Sequence, residues 1–413
     1  MYFYFHLLVC IRGDKMIKIH AEHLITPMGS SPKKGNEMRK LFETFDTDII
    51  IDKGKILDIK KHKSHDDYTI EAKLVTPALI DAHTHIPFYG KRAREFYLRA
   101  RGKSYSEIFE QGGGIHNSVK MIRNASIDEI VKQNIDYLKI FKRNGICAIE
   151  GKSGYGLEKI NELKQLKSIT VLNEIQDIKI IPTFLGLHAI PLEENKNEYI
   201  KKVESWLEDI KKFTNTIDVF CDKGVFLPDD IKELFESAKN KGFKIRFHAD
   251  EIENVGATKF AVKIGAVSAD HLLKIGDEEI ELLSNSNTIA TLMPGTSFYL
   301  GEPFANARKL IDNGAAIALG SDFNPGSCPI FTPSFIMHLA LRFLKMEPEE
   351  ILTAYTLNSA YVLDIENGKI EPGYKCDIAL WNTNEFLDIP YMFDQNFLKG
   401  IIINGKVTMY ENN

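Results

Sequence analysis

Cysteine is scarce in this 413-residue chain: there are five, Cys10, Cys147, Cys221, Cys328 and Cys376, scattered and odd in number. No two form a CxxC pair, which argues against a disulfide framework and a thiolate zinc site; a reducing compartment, the cytoplasm, is the expectation. An excess of charge of one sign is also lacking. The 52 Lys and Arg against 57 Asp and Glu leave a net charge of −5, with no basic stripe to draw in a nucleic acid. No apolar run approaches the ~20 residues of a membrane helix, so no membrane span is expected. Internal repeats and low-complexity tracts are missing too, which removes solenoids and arrays. The apolar opening from Met1 to Ile11 has neither a basic leading region nor a clear small-residue cleavage site. A short signal peptide and an upstream start are the two readings of residues 1–15. The second, with the working chain beginning near Met16, is preferred.

What is present is the composition of an ordinary globular protein, 44% hydrophobic and 26% charged. The length suffices for a barrel of about 250 residues plus a smaller unit. Short alternating runs, Ile17 to Leu24, Thr47 to Ile51, Lys55 to Ile59 and Tyr68 to Val75, are punctuated by glycine and charge. The same texture returns at Asp377 to Trp381, Gly400 to Asn404 and Val407 to Tyr410. Both ends therefore read as antiparallel strands, and residues 16–75 with 366–413 are expected to form one composite β-sandwich.

Between them, residues 76–365 alternate strand-like and helix-like segments. The strand candidates are Leu74–His83, Gly145–Glu150, Ile178–Phe184, Ile217–Val219, Phe243–His248, Ala266–Asp270, Thr288–Leu292 and Ala315–Gly320. Amphipathic stretches such as Ser126–Arg143 and Leu157–Ile175 lie between them. Eight βα units imply an α/β fold, a (β/α)8 TIM-type barrel with its chemistry at the strand C-termini.

Those strand ends are polar one after another. His83 and His85 share a face of the first strand with Asp81, because side chains alternate along a strand. Further on come Glu150 to Lys152, His188, His248 with Glu251, Asp270 with His271, and Asp322. The bland reading of each histidine is a structural residue with one hydrogen bond, and His6, His62, His65 and His338 receive it. Position in the barrel frame favours a site role for His83, His85 and His248, and less strongly for His188 and His271. Three imidazoles with Asp322 suit Zn²⁺ or Fe²⁺ in a catalytic site, whose contribution is acidified water near neutral pH. Glu251, just past His248, is the candidate to manage protons; the alternative is a surface loop carboxylate. Lys152 raises a rival, a carboxylated lysine bridging two metals, against the simpler lysine that balances Glu150 and one metal's carboxylate. The single-metal site is preferred.

The strings Phe88 to Arg92, Gly102 to Ile108, Gly112 to Ile115, Lys152 to Leu157, Phe184 to Pro191, Phe220 to Phe226, His248 to Glu251, Ser268 to Leu272 and Ser321 to Ser327 run through nearly the whole chain. With His83-Thr84-His85 they resemble the amidohydrolase superfamily, and more closely its imidazolonepropionase family. The resemblance implies hydrolysis of a cyclic amide C–N bond, that of 4-imidazolone-5-propanoate, in histidine degradation. It implies one zinc or iron ion per subunit, divalent or trivalent, held by His83, His85, His248 and Asp322. Arg92, Tyr105, Tyr155, His188, Asn324, Gly326 and Ser327 would surround a small-molecule substrate, with Glu251, His271 and Asp322 at the chemistry. A homodimer is implied by the same resemblance.

Arg92 suits a carboxylate, which a guanidinium grips through two parallel hydrogen bonds, but it also reads as a surface arginine among Lys91, Arg94 and Glu95. Asn324 to Gly326 supplies amides near the metal and is also an ordinary turn. Ala78 follows Pro77 where the superfamily usually has glycine, and residues 1–15 have no counterpart in the family pattern. Two competitors remain: another cyclic-amide hydrolase or a purine or pyrimidine deaminase with the same metal frame, and a catalytically inactive barrel serving as a binding protein.

Overall fold

A computed structural model describes residues 16–64, 69–103, 107 and 112–410. Its first four strands are β1 (Ile17–Pro27), β2 (Leu41–Asp52), β3 (Lys55–Lys61) and β4 (Thr69–Pro77). Eight short strands follow: β5 (Leu79–Asp81), β6 (Ile146–Lys152), β7 (Lys179–Leu187), β8 (Thr216–Cys221), β9 (Lys244–Ala249), β10 (Ser268–His271), β11 (Ile289–Leu292) and β12 (Ile317–Leu319). Three more close the chain: β13 (Ile378–Trp381), β14 (Leu398–Ile403) and β15 (Lys406–Met409).

The terminal strands make one mixed sheet of seven, in the order β15-β14-β13-β4-β1-β2-β3. The two chain ends meet where β13 runs antiparallel to β4, Leu380 opposite Val75 and Trp381 opposite Leu74. The Trp381 indole donates to Thr76 Oγ1 at 2.9 Å, so the buried N–H is satisfied. The sheet curls over its own core of Ile19, Leu24, Ile49, Ile51, Val75, Ile378, Leu380, Ile402 and Val407. Its two hairpin turns come together at Gly54 and Gly405, both with positive φ. A Cβ on Gly405 would fall 2.7 Å from the Gly54 Cα, so only glycine allows this closure.

The middle strands pair in sequence from β5 to β12, every pair parallel. Beyond their ends the first and last strands close the ring: Asp322 N donates to His83 O at 2.8 Å and His85 N to Phe323 O at 3.0 Å. This is the expected (β/α)8 barrel with helices packed outside. The helix Ile127–Arg143 shows how sequence builds them. Ser126 and Glu129 form a reciprocal capping box at its start, and Ile130, Val131, Asn134, Leu138 and Phe141 fall on its buried face.

Two expectations change in detail. The terminal strands are not all antiparallel, since β1 and β4 pair in parallel, Ile19 opposite Ile70. The apolar run Leu74–His83 reads as a single barrel strand, yet it serves both sheets. Up to Pro77 it pairs with β13; then Ala78 N donates to Asp377 O at 3.0 Å and Leu79 N to Gly145 O at 2.8 Å. The chain changes partners between two adjacent residues. Both stretches are buried, so hydropathy cannot mark the join.

Candidate metal and active site

The strand ends converge. Two sets of buried donors, His83 with His85 and Asp322, and His83 with His248 and His271, each present ligand atoms within 4.8 Å of one another. His85 Nε2 lies 3.3 Å from His248 Nε2 and 3.1 Å from Asp322 Oδ1, which joins the two sets. His83 Nε2 is 3.6 Å from the same Asp322 oxygen. Asp322 and His271 both sit at positive φ, 54° and 75°, a strained conformation for non-glycine residues that turns them inward at the ends of β12 and β10.

Electrostatics fits the donor set to a cation. Burial, reinforced by the Lys152 ammonium and the neighbouring imidazoles, holds His83 and His85 well below the usual histidine range. Burial takes His271 down to about 3. These rings are neutral at physiological pH and keep a lone pair for coordination. His83 Nε2 and Asp322 Oδ1 are buried and make no hydrogen bond. Nitrogen and carboxylate donors of this kind suit zinc or iron.

Beneath the donors runs a chain of buried charges. His83 Nδ1 donates to Asp270 Oδ2 at 2.7 Å, and Arg246 Nη2 donates to the same oxygen at 2.8 Å. Arg246 also pairs with Glu150. Glu150 Oε2 meets Lys152 Nζ at 2.7 Å, Lys152 meets Asp218 at 2.6 Å, and Asp218 lies 3.1 Å from His248 Nδ1. The Asp270 carboxylate on His83 Nδ1 fixes that ring's tautomer and leaves its Nε2 facing the cluster. Lys152 thus lies between Glu150 and Asp218, one layer below the donor cluster. Sequence alone does not single out Asp218 and Arg246, and it offers Asp270 only as a polar strand end. The available signal was a charged residue inside an otherwise apolar barrel strand.

Above the donors opens a cavity of about 750 Å³. Arg92, Tyr155, His188, Glu251, His271, Asn324, Gly326 and Ser327 all line it, beside His85, His248 and Asp322. Tyr105 lies outside the described residues. Tyr155 is buried, which pushes its phenol pKa up and keeps it neutral. Its loop is tied down by the buried Glu162 carboxylate, which accepts from the amides of Gly154, Gly156 and Leu157 at 2.9, 2.8 and 2.7 Å. His188 Nδ1 donates to Gly154 O at 3.0 Å, so its Nε2 is the acceptor.

Glu251 is mostly buried, 3.5 Å from His271 Nδ1. Burial, with Asp322 and Asp222 nearby, raises its pKa well above the carboxylate range. Asp222 holds the Glu251 loop in place by accepting from the amides of Glu251, Ile252 and Glu253 at 2.6, 2.8 and 3.0 Å. Asp222 and Glu162 were not singled out either. Both serve loop backbone, a role that spacing in sequence does not reveal. Asn324 follows its turn reading: its Oδ1 accepts from Gly326 N and Ser327 N at 2.8 and 2.7 Å, and its Nδ2 donates to Asp322 O.

No helix among the described residues is long and apolar enough to cross a membrane. Residues 193–408 match the model of the amidohydrolase family. Imidazolonepropionase from Kosmotoga olearia is 47% identical over 393 residues, covering 94% of this chain and 97% of that protein. The Staphylococcus aureus (strain JH9) imidazolonepropionase is 41% identical over 403 residues, covering 96% and 97%. Among solved structures, a triazine hydrolase variant superposes with a TM-score of 0.73 at 17% identity, covering 95% of this chain and 94% of that one. A 5-methylcytosine deaminase from Klebsiella pneumoniae gives 0.74 at 14%, covering 96% and 99%. At such identities these two establish the fold alone. Fold, donor set and full-length similarity agree: the chain belongs to the imidazolonepropionase family of the metal-dependent amidohydrolases.

Proposed function

We propose that this enzyme hydrolyses the ring amide of 4-imidazolone-5-propanoate, adding water across the C–N bond to give N-formimidoyl-L-glutamate, a step of histidine degradation. The observation that carries the reading is that one cavity holds the His/Asp donor cluster, a guanidinium and a largely buried glutamate. His83, His85, His248 and Asp322 would hold one zinc or iron ion, whose chemistry is to acidify water and polarise the ring carbonyl. Arg92 receives the propanoate. Glu251 takes up the proton lost by the attacking water and passes it to the ring nitrogen as the C–N bond breaks, with His271 beside it. Tyr155 and His188, whose rings lie 5.2 Å apart, orient the substrate ring.

A deaminase would share the donor cluster but leave Arg92 without a carboxylate to bind. The reading includes a cytoplasmic location, supported by the buried free thiols of Cys147, Cys221, Cys328 and Cys376, and a homodimer, supported by the family resemblance. The test is a rate assay on enzymatically generated imidazolone propanoate with metal analysis of the same preparation. Turnover by protein carrying one zinc or iron per chain is expected. A metal-replete protein with no turnover would overturn the substrate, and a protein without affinity for metal would favour an inactive barrel.

A further inference from the structure

Arg92 stands just before the helix Ala93–Ala100, and Glu95 lies in the first turn of that helix. An Arg–Glu pair at this spacing is usually an exposed and weak one. Here both side chains are buried, 7% and 8% exposed. Glu95 Oε2 accepts from Arg92 Nε at 2.9 Å and from Nη2 at 2.7 Å. The same carboxylate accepts from Gly114 N at 3.1 Å and, through Oε1, from Asn117 Nδ2 at 3.2 Å. Glu95 is thereby fastened to the start of a second helix, Ile115–Asn124, and cannot follow Arg92 if it swings.

A guanidinium has five N–H groups in one plane. Glu95 consumes two along the Nε–Nη2 side. The end formed by Nη1 and Nη2 retains a parallel pair of N–H groups, the geometry that a carboxylate accepts. Gly326 lies against the Nη1 arm and Cζ: a Cβ there would lie 2.1 Å from Arg92 Nη1, 2.6 Å from Cζ and 3.1 Å from Nη2. Gly326 is itself held by the Asn324 turn. The guanidinium therefore sits between a fixed anion on one side and a fixed, side-chain-free wall on the other.

We infer that Glu95 is the positioning residue of carboxylate recognition: it occupies one edge of the Arg92 guanidinium and thereby presents the opposite edge, beside Gly326, to the substrate. The inference rests on the reading that Arg92 receives the substrate carboxylate. It explains why a cavity meant for an anion keeps an acid next to its cation. The acid lowers the net attraction but removes the torsional freedom of a long side chain before binding, and a preorganised fork loses less entropy on pairing. It also favours a single planar carboxylate over a larger anion that needs both edges.

The experiment uses the metal-loaded enzyme, Glu95→Gln and two inhibitors, 3-(imidazol-4-yl)propanoate and 4-ethylimidazole, the second without a carboxylate. Glu95→Gln keeps the size of the side chain but places an amide where the carboxylate stood. KM and the inhibition constant of the propanoate should rise about tenfold, as misplaced binding groups do, with kcat, bound metal, Tm and 4-ethylimidazole binding little changed. Equal weakening of both inhibitors, or a fall in kcat with unchanged KM, would overturn the inference, and so would wild-type behaviour. If Glu95→Gln does not fold, Asn117→Ala, which loosens one anchor of Glu95 and spares the ion pair, should give the same pattern at smaller size; no selective loss there would also overturn it. Arg92→Ala separates the two readings. If it leaves propanoate binding intact, the carboxylate assignment itself fails. If it weakens that binding while Glu95→Gln does not, the positioning role alone fails.

Discussion

Two histidine clusters in this chain are built from the same residue types and have opposite electrostatics. In the terminal sheet, His20 stacks on His62 at 4.0 Å, with Glu71 and Asp46 on its two ring nitrogens at 2.5 and 3.0 Å. His62 meets Asp48 at 2.7 Å, and His23 meets Glu43 at 2.7 Å. At the barrel mouth His83 and His248 also meet carboxylates on Nδ1, Asp270 and Asp218. Their Nε2 atoms face other donors. Burial lowers His20 somewhat, and its two acidic partners outweigh that and raise it above the ordinary value. Burial among cations and other imidazoles drives His83 and His85 the other way. A carboxylate beside a histidine therefore does not mark a metal site. What distinguishes the barrel mouth is full burial and ring nitrogens aimed at one another and at Asp322.

The largest expected effect tests this contrast directly. His83→Ala, His248→Ala or Asp322→Ala should abolish turnover and strip the protein of metal, while His20→Ala and His62→Ala should leave both intact. Metal analysis with a rate assay decides, and full metal with normal activity in any of the first three removes that residue from the site. Next in size is Glu251→Gln, which keeps the shape but cannot transfer a proton. Its kcat should fall about 10²–10⁴-fold with metal retained; a metal-replete variant at wild-type rate would make Glu251 a mere loop carboxylate.

A third change sharpens the role of the carboxylate on Nδ1. Asp270→Asn keeps a hydrogen-bond acceptor for His83 but removes the charge, and should weaken metal binding by about 10–100-fold in chelator competition. Unchanged affinity would reduce the charge chain to packing. The smallest effect belongs to the terminal sheet. Because the His20 pKa is raised on folding, its stabilisation is fully present below its unfolded value of about 6.5 and is lost as pH rises through the folded one. Wild type should therefore exceed His20→Gln in stability at about pH 5.5, by no more than about 1 kcal/mol after solvent screening, and the gap should narrow as pH rises through the raised pKa. A gap that is constant or grows with pH would contradict the assignment.

The sequence by itself determined the barrel, its flanking terminal strands and the polar strand ends, because strand and helix periodicities are local and the strand ends recur in order. His83, His85, His248 and Asp322 stood out because each follows an apolar run at the same place in a βα unit. Only the tertiary structure decided which polar residues answer one another. Asp218, Arg246 and Asp270 each look like an isolated charge in a strand, and their chain from His83 to His248 exists only because the barrel places neighbouring strands' interior positions side by side. The split of the run Leu74–His83 between two sheets was invisible, since both partners bury it alike. Arg92 with Glu95 reads as a surface pair until the cavity wall closes over it. Local order follows from residue type and spacing, whereas burial and the partner of a charge are properties of the packed chain.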